Sequence, residues 1–238
     1  MNLSSNLQSK LIPSLKSDEV HIWSACFSDN EKDINYLSSL LSEDEHQRAN
    51  RFRFPKDQKS FTISRGILRC LLGRYLGQAP QSIEIMYGLG GKPCVLAEKS
   101  LHFNLSHSRD HALYAVTRGY EVGIDLEYIN ENLELDDMAL SILSAKELDY
   151  WRTVKPEEKV DVFFKLWVTK EAFLKTSGKG WLNNQQAIPL EGLDVLKKEN
   201  RKNTLNERMT SPYLFESIPG YASALYIEGP PLRPLHFM

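Results

Sequence analysis

Residues 122–127, Val122-Gly123-Ile124-Asp125-Leu126-Glu127, set the frame for the rest of the chain. Side chains on a strand alternate between faces, so Val122, Ile124 and Leu126 share one face while Asp125 and Glu127 share the other. Two carboxylates two positions apart repel unless something positive sits between them. A hard divalent cation meets that need, and Mg²⁺ is commonly held by one or two carboxylates together with phosphate oxygens and water. The solvated face of an antiparallel strand carries the same letters, so the pair gains meaning only from its surroundings.

Upstream, the chain reads strand, helices, strands. Val20–Phe27 (VHIWSACF) has the composition of a strand. Ser42-Glu43-Asp44-Glu45 is a capping box that opens a short helix. Pro55 suits the first turn of the next helix, whose apolar stripe is Phe61, Leu68, Leu71, Leu72 and Tyr75 and which stops at Gly77 and Pro80. Arg65 and Arg69 are four apart and share a face of it. Short strands are predicted at Ile83–Tyr87, Leu101–Asn104 and Ala112–Thr117. The same grammar recurs downstream. Ser144-Ala145-Lys146-Glu147 is a second capping box, Pro156 precedes a long helical pattern ending at Gly178, and strands are predicted at Leu193–Leu196, Tyr213–Ser217 and Ala222–Tyr226. Lys197–Asn206 reads as a polar, mobile loop. This order predicts an α+β chain of two similar halves, residues 1–120 and 121–238, without a close sequence repeat.

With 238 residues, 42% of them apolar and 25% charged, the composition is that of a soluble globular protein. No apolar run nears the ~18 residues of a membrane span, and the start, MNLSSNLQSK, lacks the apolar core of a secretory signal. Cys26, Cys70 and Cys94 form no CxxC pair, which speaks against a disulfide framework or structural zinc and for a reducing cytoplasm. The net charge of −2 hides two opposed segments. His46–Leu76 holds eight basic residues and one acid; Glu121–Asp137 holds seven acids and no base. A pI near 6.3 disfavours nucleic acid as the basic segment's partner, and a smaller polyanion such as a nucleotide phosphate fits it better.

Two further stretches carry chemistry. On the long downstream helix (FFKLWVTKEAFLK), stepping by three and four from Phe164 reaches Trp167, Glu171 and Lys175. Glu171 therefore sits at the edge of an apolar stripe, where a carboxylate is costly unless paired or metal-bound. A plain Glu171–Lys175 pair, worth ~0.3–0.5 kcal/mol, is the simpler alternative. In Phe103-Asn104-Leu105-Ser106-His107-Ser108 an apolar strand end runs into a polar Ser-His-Ser, suited to phosphate contact or proton transfer. Gly90-Gly91-Lys92-Pro93 is a turn presenting one lysine; it lacks the spacing of a Walker loop.

In order, the chain presents a basic helix, GKP, FNLSHS, VGIDLE and FFKLWVTKEAFLK with GKG behind it. Over about Arg48–Gly180 it resembles the 4′-phosphopantetheinyl transferase superfamily, specifically the Sfp-type branch. The resemblance implies two α+β halves related by pseudo-twofold symmetry, with the active site in the cleft between them. It also implies Mg²⁺-dependent transfer of phosphopantetheine from coenzyme A to a serine of an acyl or peptidyl carrier protein, with release of adenosine 3′,5′-bisphosphate. Residue by residue, Asp125 and Glu127 are expected to bind Mg²⁺, and Glu171 to complete the metal site or take the serine proton. Lys175 is expected on the diphosphate and near the leaving group. Ser106 and His107 are expected on CoA phosphate, His107 with a catalytic part, and Lys92, Arg48, Arg53 and Arg65 on the phosphate ends of CoA.

Taken with the cysteine, hydropathy and charge readings above, the chain is expected to be a cytoplasmic monomer that meets carrier proteins and neither nucleic acid nor membrane. Carrier proteins are typically acidic around the serine, so part of the basic excess, Arg69 and Arg74 included, is expected to dock them. Rival readings are a non-catalytic CoA- or nucleotide-binding protein, a nucleic-acid binder using the basic helix, and a metal-dependent phosphohydrolase. The acids at Asp125, Glu127 and Glu171 and the base at Lys175 weigh against the first, and give the second no role.

Overall fold

A computed structural model of the chain describes residues 13–88, 90–178, 196 and 212–237. Its strands are β1 (Glu19–Cys26), β2 (Ile85–Tyr87), β3 (Pro93–Val95), β4 (Leu101–Ser108), β5 (His111–Arg118), β6 (Glu121–Tyr128), β7 (Tyr213–Leu214), β8 (Tyr221–Glu228) and β9 (Arg233–Phe237). Its helices, in chain order, are α1 (Phe27–Asn30), α2 (Ile34–Ser39), α3 (Glu43–Asn50), α4 (Pro55–Leu76), α5 (Leu135–Ile142), α6 (Ala145–Thr153) and α7 (Lys159–Ser177).

The helix starts follow the local chemistry of the sequence. Both capping boxes form: Ser42 and Ser144 accept from the backbone of Glu45 and Glu147, and each glutamate accepts from the backbone of its serine. Pro55 occupies the first turn of α4, where its missing N–H costs nothing. Gly77 and Gly178 end α4 and α7 in the left-handed conformation, both with φ of 64°, which a residue without Cβ adopts freely.

Sheet topology repeats between the halves. The first sheet runs β4-β5-β1-β9 and the third β6-β8-β7, so each half is a strand, a capped short helix, a long helix and a returning antiparallel pair whose second strand lies beside the first. The inner faces of the two sheets meet. Val20 and Ile22 of β1 and Leu113 and Ala115 of β5 pack against Val122, Ile124 and Leu126 of β6 and Leu225 and Ile227 of β8. Outside them, α4 covers the first sheet with Ile63, Ile67, Leu68 and Leu71, and α7 covers the other with Phe163, Leu166, Val168 and Ala172. The layers are therefore helix, sheet, sheet, helix. Each fully buried Leu, Ile or Phe among them contributes about 1.5–3 kcal/mol.

The structure differs from the sequence reading in several places. β4 continues through Ser106, His107 and Ser108, because β5 pairs with it all the way to Ser108↔His111; the Ser-His-Ser run is thus strand and not the polar segment beyond one. The C-terminal β9, unmarked by periodicity, crosses back and pairs in parallel with β1, with Arg233 bound to Glu19 and Phe237 stacked on Trp23 at 4.4 Å. Helices α1, α2 and α5 and strand β3 are further elements that the sequence reading does not predict. The predicted strand at 193–196, except Leu196, and the predicted loop at 197–206 lie outside the described residues.

Candidate active site

Alternation on β6 turns Gly123, Asp125 and Glu127 toward α7, away from the inter-sheet core that takes Val122, Ile124 and Leu126. The approach of helix to strand is close. A Cβ on Gly123 would lie 2.0 Å from the Ala172 carbonyl oxygen and 2.5 Å from Thr176 Oγ1. Glycine at 123 therefore lets α7 settle onto β6, which brings the residues one turn along each element into reach.

Asp125, 2% exposed, receives two polar groups on a single oxygen. Lys175 Nζ of α7 lies 2.5 Å from Asp125 Oδ1, and Ser106 Oγ of β4 donates to the same oxygen at 2.7 Å. Lys175 Nζ also donates to Ser106 Oγ at 2.9 Å. The other oxygen, Asp125 Oδ2, is buried with no hydrogen-bond partner, a costly arrangement for a charged group unless a ligand meets it. Glu127 lies on the same face. Ser108 Oγ donates to it at 2.9 Å, yet burial, then the neighbouring charges of Asp125 and Glu171, push its carboxyl up to about 7. Glu171 is half-buried on α7, one turn before Lys175.

Asn104, Ser106 and Ser108 project from one face of β4 and join the edges of two sheets that are not hydrogen-bonded into one. Asn104 Oδ1 accepts from Ile124 N at 2.9 Å, and Ser108 Oγ accepts from Tyr128 N at 3.1 Å. The site is thus a seam between the halves, in which first-half side chains hold second-half acids. Asn104, Ser108 and Gly123 were not marked as site residues. The first two alternate with Ser106 on one face of the strand, a spacing present in the sequence, although Ser106 itself is picked out there by the Ser-His-Ser run and the family resemblance.

The expected phosphate ligands fall into two groups. Arg48 and Arg53 are exposed, with their guanidinium groups 5.4 Å from the ring centres of Phe61 and Phe54 respectively. His107, on the opposite face of β4 from Ser106, lies near Phe27 at the start of the first-half helices. Although the residue is exposed, desolvation of the ring and then the Lys175 ammonium hold its imidazole below the ordinary value. The others are turned inward. Arg65, 6% exposed, has its Nε 3.5 Å from Glu45 Oε1 and lies between the rings of Phe61 and Tyr87, with a buried Nη1 that has no hydrogen-bond partner. Lys92 Nζ binds Glu121 Oε2, Val122 O and Thr176 O. Arg69, 2% exposed, is bound to Glu45 and to the carbonyls of Pro80 and Ile83. It is not on any docking surface, contrary to the expectation from sequence. A buried Arg needs local acceptors, and the capping-box glutamate supplies one.

The donor set at this seam suits a hard cation: carboxylate oxygens only, one of them orphaned and another with its pKa raised, by burial first and then by the neighbouring acids. Among the described residues, no three acidic, histidine or cysteine side chains converge tightly enough to enclose a metal ion, and the Lys175 ammonium occupies the positive position beside Asp125.

A two-halved α+β fold, with acids and a lysine gathered at a seam between the halves, defines the class. Residues 121–225 match the model of the 4′-phosphopantetheinyl transferase superfamily, and residues 25–118 match that of the 4′-phosphopantetheinyl transferase N-terminal region. The chain is 43% identical over 169 residues to the 4′-phosphopantetheinyl transferase HetI of Nostoc sp., covering 70% of this chain and 71% of that one. It is 30% identical over 193 residues to 4′-phosphopantetheinyl transferase gsp of Aneurinibacillus migulanus (77% and 76% covered), and 27% identical over 164 residues to a 4′-phosphopantetheinyl transferase of Bacillus subtilis (69% and 70% covered). The chain belongs to the 4′-phosphopantetheinyl transferase superfamily, and it is an enzyme that transfers the phosphopantetheinyl group of coenzyme A to a carrier protein.

Proposed function

We propose that transfer takes place at the seam of Asp125, Glu127, Glu171 and Lys175, that Mg²⁺ is required, and that adenosine 3′,5′-bisphosphate is the second product. The observation that carries this reading is the orphaned, buried Asp125 Oδ2 beside a Glu127 carboxyl pushed up to about 7. Asp125, Glu127 and Glu171 would hold the ion. When bound, it offsets the charge of the diphosphate and of the transition state.

The chain's own groups do the rest. Arg48, Arg53, His107 and the Nη1 of Arg65 receive the phosphate ends of CoA. Ser106 and Ser108 keep Asp125 and Glu127 oriented. Glu171, half-buried on α7 one turn before Lys175, takes the proton of the carrier's serine hydroxyl, directly or through water. The serine oxygen forms a bond to the β-phosphorus while the bond from that phosphorus to the bisphosphate oxygen breaks. Lys175 stabilises the charge that gathers on the departing phosphate. Little covalent work falls to the protein; position and charge supply the rate.

The partner is an apo acyl or peptidyl carrier protein of fatty-acid, polyketide or nonribosomal-peptide synthesis. A cytoplasmic monomer fits two observations: Cys26, Cys70 and Cys94 are unpaired, and one chain supplies both sides of the seam. Among the described residues no helix is long and apolar enough to cross a membrane.

The test is the intact mass of an apo acyl carrier protein incubated with the enzyme, CoA and MgCl₂. Gain of one phosphopantetheinyl group, abolished by EDTA and by Glu171→Ala, is the expected result. CoA binding without modification of several unrelated carriers would favour a non-catalytic binder instead.

A further inference from the structure

Lys92 lies in the turn that joins β2 to β3, closed by Gly88 N donating to Lys92 O at 2.9 Å. It belongs to the first half, yet its ammonium lies in the second. An ammonium carries three protons, and Lys92 Nζ has three acceptors: Glu121 Oε2 at 2.6 Å, Val122 O at 3.0 Å and Thr176 O at 2.8 Å. Its side chain is only 15% exposed. A phosphate on Lys92 would displace one of these bonds.

The acceptors are informative by where they lie. Val122 is on β6 and Thr176 in the last turn of α7, where C-terminal carbonyls attract a cation. Between them sits Gly123, at the closest approach of strand and helix. Lys92 therefore fastens β6 to α7 from a third side, and the same two elements carry Asp125 and Lys175 within a turn of the fastening. Glu121, 44% exposed, holds the ammonium in place and also meets His102 Nδ1 at 3.1 Å with its other oxygen.

We infer that Lys92, held by Glu121, is a positioning residue that fixes the spacing of Asp125 and Lys175 by clamping α7 onto β6, rather than a ligand for CoA phosphate. The inference rests on the reading of the seam as the site of transfer. The clamp acts through the register of two elements, so its loss changes turnover and leaves phosphate binding in place.

Steady-state transfer to an apo carrier protein with CoA and MgCl₂, and calorimetric binding of adenosine 3′,5′-bisphosphate, separate the alternatives in the full-length chain. For the clamp, Lys92→Met lowers kcat tenfold or more at temperatures well below its Tm, while the Kd for the bisphosphate stays within twofold. Lys92→Arg recovers part of the turnover, and Glu121→Gln lowers kcat in the same direction. For a phosphate ligand the signs differ: Lys92→Met weakens bisphosphate binding tenfold or more with kcat at saturating CoA retained, and Glu121→Gln tightens binding by freeing the lysine. That pattern overturns the inference, as does a lowered Tm with kcat unchanged. Should Lys92→Met fail to fold, Glu121→Gln and Lys92→Arg still decide the sign. A wild-type enzyme that modifies no carrier would refute the transfer site itself, while the binding measurements would still tell whether Lys92 holds phosphate.

Discussion

Lys175 Nζ lies 2.5 Å from Asp125 Oδ1 and 2.9 Å from Ser106 Oγ, so one ammonium ties together α7 and β6 of the second half and β4 of the first. The pairing gives a carboxyl that is 2% exposed a cation and a hydroxyl on one of its oxygens. It also means that the positive group expected to stabilise a leaving phosphate stands in the site beforehand, oriented by protein and not by substrate.

Lys175→Met removes that charge at nearly constant volume. Turnover is expected to fall about 100-fold or more. Stability is expected to fall by about 1–2 kcal/mol, less than a fully buried charged hydrogen bond costs, because the Lys175 side chain is 30% exposed. Urea denaturation alongside carrier modification checks both; loss of turnover without any loss of stability would contradict the pairing.

Glu127 gives a pH signature. Its folded pKa, about 7, lies above the ordinary glutamate value of 4.5, so its ionisation destabilises the fold. The contribution is fully favourable below about pH 4.5 and is lost as pH rises through 7. Glu127→Gln should therefore be more stable than wild type at pH 8, by about 1–2 kcal/mol after allowance for partial exposure. It should match wild type near pH 4.5. Thermal melts at the two pH values read this, and a destabilised Glu127→Gln at pH 8 would refute it. A divalent cation must displace the same proton, so Mg²⁺ affinity is expected to rise through pH 7.

Lys170 and Glu147 form a pair that is 1% and 2% exposed at the side chains, 2.9 Å apart. Lys170→Met leaves a buried carboxylate without its cation and should cost about 3–5 kcal/mol. Equilibrium unfolding measures it, and a cost under 1 kcal/mol would show that the pair opens to water.

Gly123→Ala places a methyl group against backbone, 2.0 Å from the Ala172 carbonyl oxygen. Either α7 lifts or β6 bends, at a cost of about 3 kcal/mol or more, the upper end of overpacking. Activity should fall further than stability, since the displaced helix carries Glu171 and Lys175. A fully active, fully stable variant would rule out the close approach.

The duplication explains what was legible. Capping boxes, Pro55 and Pro156, and Gly77 and Gly178 are local signals, readable because each acts on its own few residues. The structure extends the correspondence beyond them. Arg69 of α4 reaches the capping-box Glu45 as Lys170 of α7 reaches Glu147. Glu19-Val20 begins β1 as Glu121-Val122 begins β6. In that alignment Trp23 and Ala25 stand where the second half has Asp125 and Glu127, and Cys70 and Arg74 stand where it has Glu171 and Lys175. The second half holds a charged cluster where the first has the buried Trp23, Ala25 and Cys70 and the exposed Arg74, so no simple repeat shows in the letters.

Sequence alone determined β1, the two capped helices, the long helices α4 and α7, the alternation that puts Asp125 and Glu127 on one face, and the half-turned position of Glu171, because periodicity and capping are short-range. Only the tertiary structure decided where the cations go. Arg65 and Arg69 turn in toward Glu45, Lys92 crosses to α7, and Lys175 settles on Asp125. A lysine or arginine side chain is long and finds its partner across the fold, and burial, not spacing, selects which acceptor it meets. The return of β9 to β1 is of the same kind, a long-range pairing that no local pattern announces.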